Sequence, residues 1–383
     1  MKSKDSARQR RELFSIIMQR KRVEAAIVSD PRHVFYFTGY STFWPRQTAL
    51  LLLLKHGDSR LFLGRQRVTD AEKCYDGEIE TYEDYNLNKR MIAYPGYVAE
   101  EFAKYLKTSR VLKGVRTIGL ESWHLPQTYT SALSSVVQKV KYTEISSQIL
   151  ELRRTKGTDE LASLKEATKR LELAYEAAKR HVKVGVSEIE LCRDVMSESI
   201  MMHGPFEFSR GDTWISGPRT LEVGGPPTDR KFMRGDTIIL DLQAVYNNYW
   251  ADGARTYVVG EPNEKQKHLF GVIKTAKEKA EALLKPGTAC SDVYGAVAQE
   301  IKAAGYSEMF SHHAGHGLGL EDQEAPFFIP GSKVRVEEGV VCTIEPGIYH
   351  PQVGGLRDED TYIIRANGFE RITRPPAELE KVT

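Results

Sequence analysis

Residues 237–252 read Thr237-Ile238-Ile239-Leu240-Asp241-Leu242-Gln243-Ala244-Val245-Tyr246-Asn247-Asn248-Tyr249-Trp250-Ala251-Asp252. Thr237 to Tyr246 has the β-branched and aromatic bias of a strand. Asn247-Asn248 suits a tight turn, because asparagine tolerates the positive φ that hairpin turns require. The chain would then return as a second strand and bring Asp252 back beside Asp241, 252 − 241 = 11 residues on. Asp241 is the anomaly. It lies between Leu240 and Leu242 inside an apolar strand, where an isolated carboxylate is costly unless it is paired or binds a cation.

The anomaly recurs downstream. Glu345 ends the run Val340-Val341-Cys342-Thr343-Ile344 and precedes Pro346-Gly347. Glu359 lies in Arg357-Asp358-Glu359-Asp360-Thr361, just ahead of Tyr362-Ile363-Ile364. His316 stands in HHAGHGLGLE, residues 312–321, whose glycines permit close backbone approach. Taken singly, each has an ordinary explanation: a salt bridge, a turn-end acid, a hydrogen-bonded histidine. Together, four strand-associated carboxylates and one imidazole suit divalent ions such as Mn, Co, Fe or Zn. Bridging carboxylates would hold two ions about 3.5–4 Å apart around a shared water.

Further strands are expected at Ala254 to Val259, Val340 to Glu345 and Asp360 to Arg365. A helix of about six turns is expected from Thr158, its N-cap, with Leu161, Leu164, Leu171, Ala174 and Ala178 at helical spacing. Two more helices follow at Glu264 to Leu284 and Ser291 to Ala304. This order predicts helices on a curved, mostly antiparallel sheet, an α+β domain over residues 154–383. Residues 1–153 read as a smaller α/β unit. A helix is expected from Glu12 to Lys21, and strands at Glu24 to Val28, Val34 to Thr38, Ala49 to Lys55, Arg60 to Leu63 and Thr117 to Leu120, with a turn at Asp30-Pro31.

Lys plus Arg number 54 against 52 Asp plus Glu, so the formal charge is +2 and nothing points to nucleic acid or an anionic membrane. The run Ala49 to Leu54 is too short to cross a bilayer, which needs about 20 apolar residues. The charged start MKSKDSARQRREL lacks the apolar segment of a secretory signal. Cys74, Cys192, Cys290 and Cys342 stand far apart, which suggests reduced thiols in a cytoplasmic protein.

The strings LDLQAVYNNYWADGARTYVVG, HHAGHGLGLEDQEAP, TIEPGIY and GLRDEDT resemble the pita-bread metallopeptidase family: Xaa-Pro aminopeptidase, prolidase, methionine aminopeptidase and creatinase. With SGPRT and PPTDRKFMRGD they span roughly Ser216 to Ile364, and the N-terminal α/β unit is similar to that of the prolidase and creatinase branch. The resemblance implies that Asp241 binds one of two divalent ions, Asp252 and Glu359 bridge both, and His316 ligates the other with Glu345 beside it. It implies hydrolysis of a C–N bond by metal-bridged hydroxide, with Glu345 moving the proton and His312 helping to position the substrate or stabilise the tetrahedral intermediate. Arg357 resembles a family arginine that orients a carboxylate.

In the proline-peptide enzymes two more histidines stand at positions matching Gly224 and Gln323. Losing a transition-state donor of that kind costs ~10²–10³ in rate, so a substrate other than an ordinary Xaa-Pro peptide is expected. Three readings follow from the exchange. One is a hydrolase of a non-proline dipeptide, or of a small amide like the creatine and ectoine hydrolases. The second is a lyase of the dimethylsulfoniopropionate-cleaving kind, with Asp322 as candidate base. The third is a binding module, against which the five intact ligand positions argue. Phe206, Phe208, Trp214 and Trp250 are either aromatic walls for a cationic substrate or core. Phe43-Trp44-Pro45-Arg46 resembles a loop that reaches the partner's site in creatinase-branch dimers, so a homodimer acting on a short peptide or small molecule is expected.

Overall fold

The computed structural model describes residues 4–42, 48–86, 88, 91–204 and 209–383. The Phe43–Arg46 segment, Phe206 and Phe208 lie outside them. The chain separates into two units, Met1–Leu152 and Arg153–Thr383.

In the first unit one six-stranded sheet has the order Glu78–Tyr82, Ser59–Gly64, Leu50–Leu54, Ala25–Val28, Thr117–Leu120, Lys141–Glu144. Leu50–Leu54 runs antiparallel to both neighbours and the other pairs are parallel. The apolar strands Ala25–Val28 and Leu50–Leu54 are buried on the sheet's helix-covered interior, with Phe102, Leu106 and Leu133 packed among them.

One expectation fails here. Val34 to Thr38 is not a strand but most of a helix, Pro31–Thr38. Asp30 caps it by accepting from Arg32 N, Pro31 fills the first turn where a missing N–H costs nothing, and Gly39 at φ +77° ends it. Capping and the packing of Phe37 on Phe14, 5.2 Å between ring centroids, outweigh the strand-like composition.

Where one curved sheet is expected, the described residues of the second unit form a four-stranded and a five-stranded sheet, each carrying a pair of helices, and a two-stranded ribbon of Gly347–His350 and Gly354–Arg357. Helices Thr158–His181 and Glu188–His203 cover a four-stranded sheet ordered Glu380–Val382, Tyr249–Val259, Thr237–Tyr246, Ser209–Ser216. Helices Glu264–Glu281 and Cys290–Ala303 cover a five-stranded sheet ordered Glu324–Phe327, His316–Gly317, Val341–Ile344, Asp360–Arg365, Gly368–Arg371. Among the described residues of these sheets, only Glu380–Val382 pairs in parallel. Gly157, not Thr158, caps the long helix: its N–H donates to Glu160 at 2.9 Å, and Thr158 is the first helical residue. The helix Glu188–His203 is absent from the sequence reading, although Ser187 and Glu190 close a reciprocal capping box that is legible as S-x-x-E.

Candidate metal centre

Strands Thr237–Tyr246 and Tyr249–Val259 form the hairpin expected of the opening stretch. Asn247 and Asn248 occupy its turn at φ +50° and +64°, the positive values that match the twist of paired strands. The register sets Asp241 opposite Ala254 and Gln243 opposite Asp252. Opposed residues share a face, so Asp241 and Asp252 project together, one diagonal step apart. The pairing of Asp241 and Leu242 with the outer strand Ser209–Ser216 is broken by a bulge, a device that re-aims side chains.

The second sheet supplies the rest. Glu359 N donates to Ala254 O at 3.1 Å, and Thr361 Oγ1 donates to Asp252 O at 2.7 Å, which ties the corner before Asp360–Arg365 to the hairpin. A Cβ at Gly315, held at φ +152°, would collide with the Thr343 carbonyl, so glycine is what lets His316 approach that strand. His316 Nδ1 lies 2.9 Å from Gly317 O. A carbonyl only accepts, so Nδ1 carries the proton and the Nε2 lone pair is left for a ligand. That Nε2 is 3.7 Å from Asp252 Oδ2 and 3.4 Å from Glu345 Oε1. Ligating atoms of Asp252, His316 and Glu359 lie within 4.8 Å of one another, as do those of His312, His313 and Glu345.

The electrostatics are those of a site short of positive charge. Burial pushes the Asp241 carboxyl up to about 7, against the pull of Arg357 and with help from Asp212 and Glu345. Asp252 and Glu359 are pushed well up by burial first and by the neighbouring acids second. Burial also opposes ionisation of Glu345, yet His313 and His316 hold it below the ordinary range. Glu359 Oε1 is buried and has no hydrogen-bond partner among the described residues. An orphaned carboxylate oxygen among crowded acids beside a free imidazole nitrogen is the donor set that divalent cations satisfy.

Arg357 is in the site, and the carboxylate it meets is that of Asp241 at 2.6 Å. It also donates to Tyr349 Oη at 3.0 Å and to the Val223 carbonyl. Tyr349 and His312 Nε2 are 2.9 Å apart, and His312 Nδ1 is 2.7 Å from His313 O. Both nitrogens of His312 are therefore engaged, and burial, with the opposing pull of Glu345, lowers its pKa to about 4. The Asp322 carboxylate accepts from Gln323 N at 3.0 Å and adds negative potential at His316, and the Gln323 side chain is exposed. Trp214 is core, 1% exposed, with its indole N–H on Gly211 O. Trp250 is half-buried.

Three contributors escape sequence reasoning. His313 places Nδ1 3.3 Å from Glu345 Oε1; the His-His doublet was its only signal. Tyr349 links His312 to Arg357, and Asp212 adds negative potential to Asp241 and Asp252.

The model for Metallopeptidase family M24 matches residues 162–366, and that for the Creatinase/Prolidase N-terminal domain matches residues 10–155. The chain belongs to metallopeptidase family M24. This M24 protein is 31% identical to the Xaa-Pro dipeptidase of Pyrococcus horikoshii, over 94% of this chain and 96% of that one. It is similar to the crystal structure of the prolidase from Pyrococcus horikoshii OT3, with TM-score 0.84 and 29% identity over 97% and 99% of the two chains. The Xaa-Pro dipeptidase from Bacillus anthracis matches with TM-score 0.86 and 27% identity, over 98% and 100%. The expected pita-bread catalytic domain behind a creatinase-type N-terminal domain is thus borne out, and the protein is an M24 hydrolase. Membership also implies divalent metal ions, typically two.

Proposed function

We propose that this M24 protein hydrolyses a C–N bond in a short peptide or small amide outside the ordinary Xaa-Pro set, using Asp241, Asp252, His316, Glu345 and Glu359 to hold two divalent ions. The observation that carries the reading is the Asp252–His316–Glu359 triangle with its orphaned Glu359 oxygen. When bound, a pair of Mn, Co, Zn or Fe ions would supply Lewis acidity to a carbonyl and to a water. Glu345, held ionised beside His313, accepts a proton and passes it to the leaving nitrogen. Arg357 orients Asp241 and polarises the Tyr349 hydroxyl that faces His312. His312 keeps no free N–H in this arrangement, so it acts through Tyr349.

The unusual substrate is supported by Gly224 and Gln323. Gly224 adjoins Val223, whose carbonyl Arg357 grips, and a Cβ at 224 would meet Thr213 Oγ1 at 2.9 Å. That position offers the substrate no side chain, and Gln323 offers an amide in place of an imidazole. The test combines metal analysis with a panel of dipeptides and small amides, read in ¹⁸O-labelled water. Two equivalents of metal and label in a product carboxylate are expected. Less than about half an equivalent, with no activity restored by added Mn, Co, Zn or Fe, would reject the reading. An unlabelled alkene product would instead favour the lyase. We also read the protein as a cytoplasmic homodimer, supported by four free cysteines and by the creatinase-branch likeness; a monomer mass by light scattering would reject the dimer.

A further inference from the structure

Asp358, Glu359 and Asp360 are consecutive and all buried, at 2%, 1% and 0% exposure. Their partners separate them. Lys277 Nζ donates to Asp358 Oδ2 and, at 2.6 Å, to Asp360 Oδ2. Arg255 reaches Asp360 Oδ1 at 3.0 Å and Asp358 Oδ1 at 3.7 Å, and also donates to the Glu359 carbonyl. Thr373 Oγ1 adds a 2.7 Å bond to Asp360. The flanking acids thus turn one way, onto two buried cations, while Glu359 turns the other way, toward Asp252 and His316, with no cation paired to it among the described residues.

Lys277 is itself an anomaly. It lies on the helix Glu264–Glu281 four residues after Ile273, on the face that buries Leu269, Ile273, Ala276 and Ala280. A lysine 3% exposed on that face costs desolvation and a long side chain's rotamer freedom, and the acids it meets in return, among the described residues, are those that flank Glu359.

We infer that Lys277, together with Arg255, is a positioning residue: it clamps Asp358 and Asp360 so that Glu359 alone of the three is presented to the metal pair. The inference rests on the metal reading above. Bridging two residues on either side of a ligand fixes that ligand's backbone, and removing such an outer partner typically weakens metal binding ~10–100-fold. Without the clamp, Asp358 would also be a competing carboxylate beside the ligand.

The test titrates metal-free protein with Mn(II) by calorimetry and records the EPR spectrum of the loaded protein. Lys277→Met should bind at least one ion ~10–100-fold more weakly and lose the exchange-coupled signal of a Mn pair. Because Lys277→Met alone leaves Asp358 short of a partner and could unfold the protein, Lys277→Met/Asp358→Asn removes both charges. That double variant should recover the melting temperature of the metal-free protein but keep Mn affinity at least about tenfold weak. Wild-type affinity and a coupled signal in either folded variant would overturn the clamp. A wild-type protein that fails to take up two Mn ions would instead overturn the metal reading beneath it.

Discussion

Two sets of carboxylates in the second unit are equally buried and oppositely treated. Glu324 gives one oxygen to Arg153 at 2.5 Å and the other to Lys156 at 2.7 Å, and although burial opposes its ionisation these cations hold its pKa below 4.5. Asp358 and Asp360 share Lys277 and Arg255. Of the site acids, Asp241 pairs with Arg357 and Glu345 lies beside His313 and His316, and the carboxyls of Asp241, Asp252 and Glu359 are pushed upward. Burial of acids is common to both sets, so it does not mark a site. Burial without matching cations does, because that state persists only if something outside the chain supplies the charge.

The comparison is broken most severely by removing the one site acid held ionised. Glu345→Gln should lower turnover by roughly 10²–10⁴ while leaving the fold intact; unchanged kcat would defeat its assigned role. In the compensated set the loss should fall on stability. Glu324→Gln leaves Lys156 buried without the carboxylate it pairs with and removes one of the two acids on Arg153, the other being Glu321 at 2.9 Å, at a cost of about 3–5 kcal/mol in denaturant unfolding. A cost under about 1 kcal/mol would make that cluster no different from a surface pair.

The two sets should also answer pH in opposite senses. Glu324, with its folded pKa lowered, stabilises above the ordinary carboxylate range, and that contribution is lost as pH falls through its folded value. Asp241, Asp252 and Glu359, with folded pKa values raised, stabilise the metal-free protein at low pH, and that contribution is lost as pH rises through about 7 for Asp241. Metal-free protein should therefore melt higher at pH 5.5 than at pH 7.5 and lose stability again below about pH 4. Asp252→Asn should raise the pH 7 melting temperature of metal-free protein by about 2–8 °C, or roughly 1–2 kcal/mol, while abolishing dinuclear binding. A melting temperature lowered at both pH values would contradict the excess of negative charge. An effect of like size but opposite sign is expected at the turn that joins the two aspartates: Asn248→Ala, forced to a positive φ, should cost about 1–2 kcal/mol by thermal melting.

How much was legible differs between the units. In the second, acids stood out because they interrupt apolar strands, and the Asn-Asn turn fixed which strands pair. In the first, Val34 to Thr38 has strand composition but obeys the cap at Asp30 and the proline after it. Partners distant in sequence were hidden throughout. Arg357 meets Asp241 across 116 residues, and Lys277 meets Asp358 across 81.

The sequence alone determined that four carboxylates and a histidine lie in or beside strands, in an order similar to the M24 family, since residue type and local period are written in the chain. Only the tertiary structure decided which acids receive a buried cation and which are left bare. Charge pairing depends on distances between elements far apart in the chain, and a shift of a few ångströms in a low-dielectric interior reverses it.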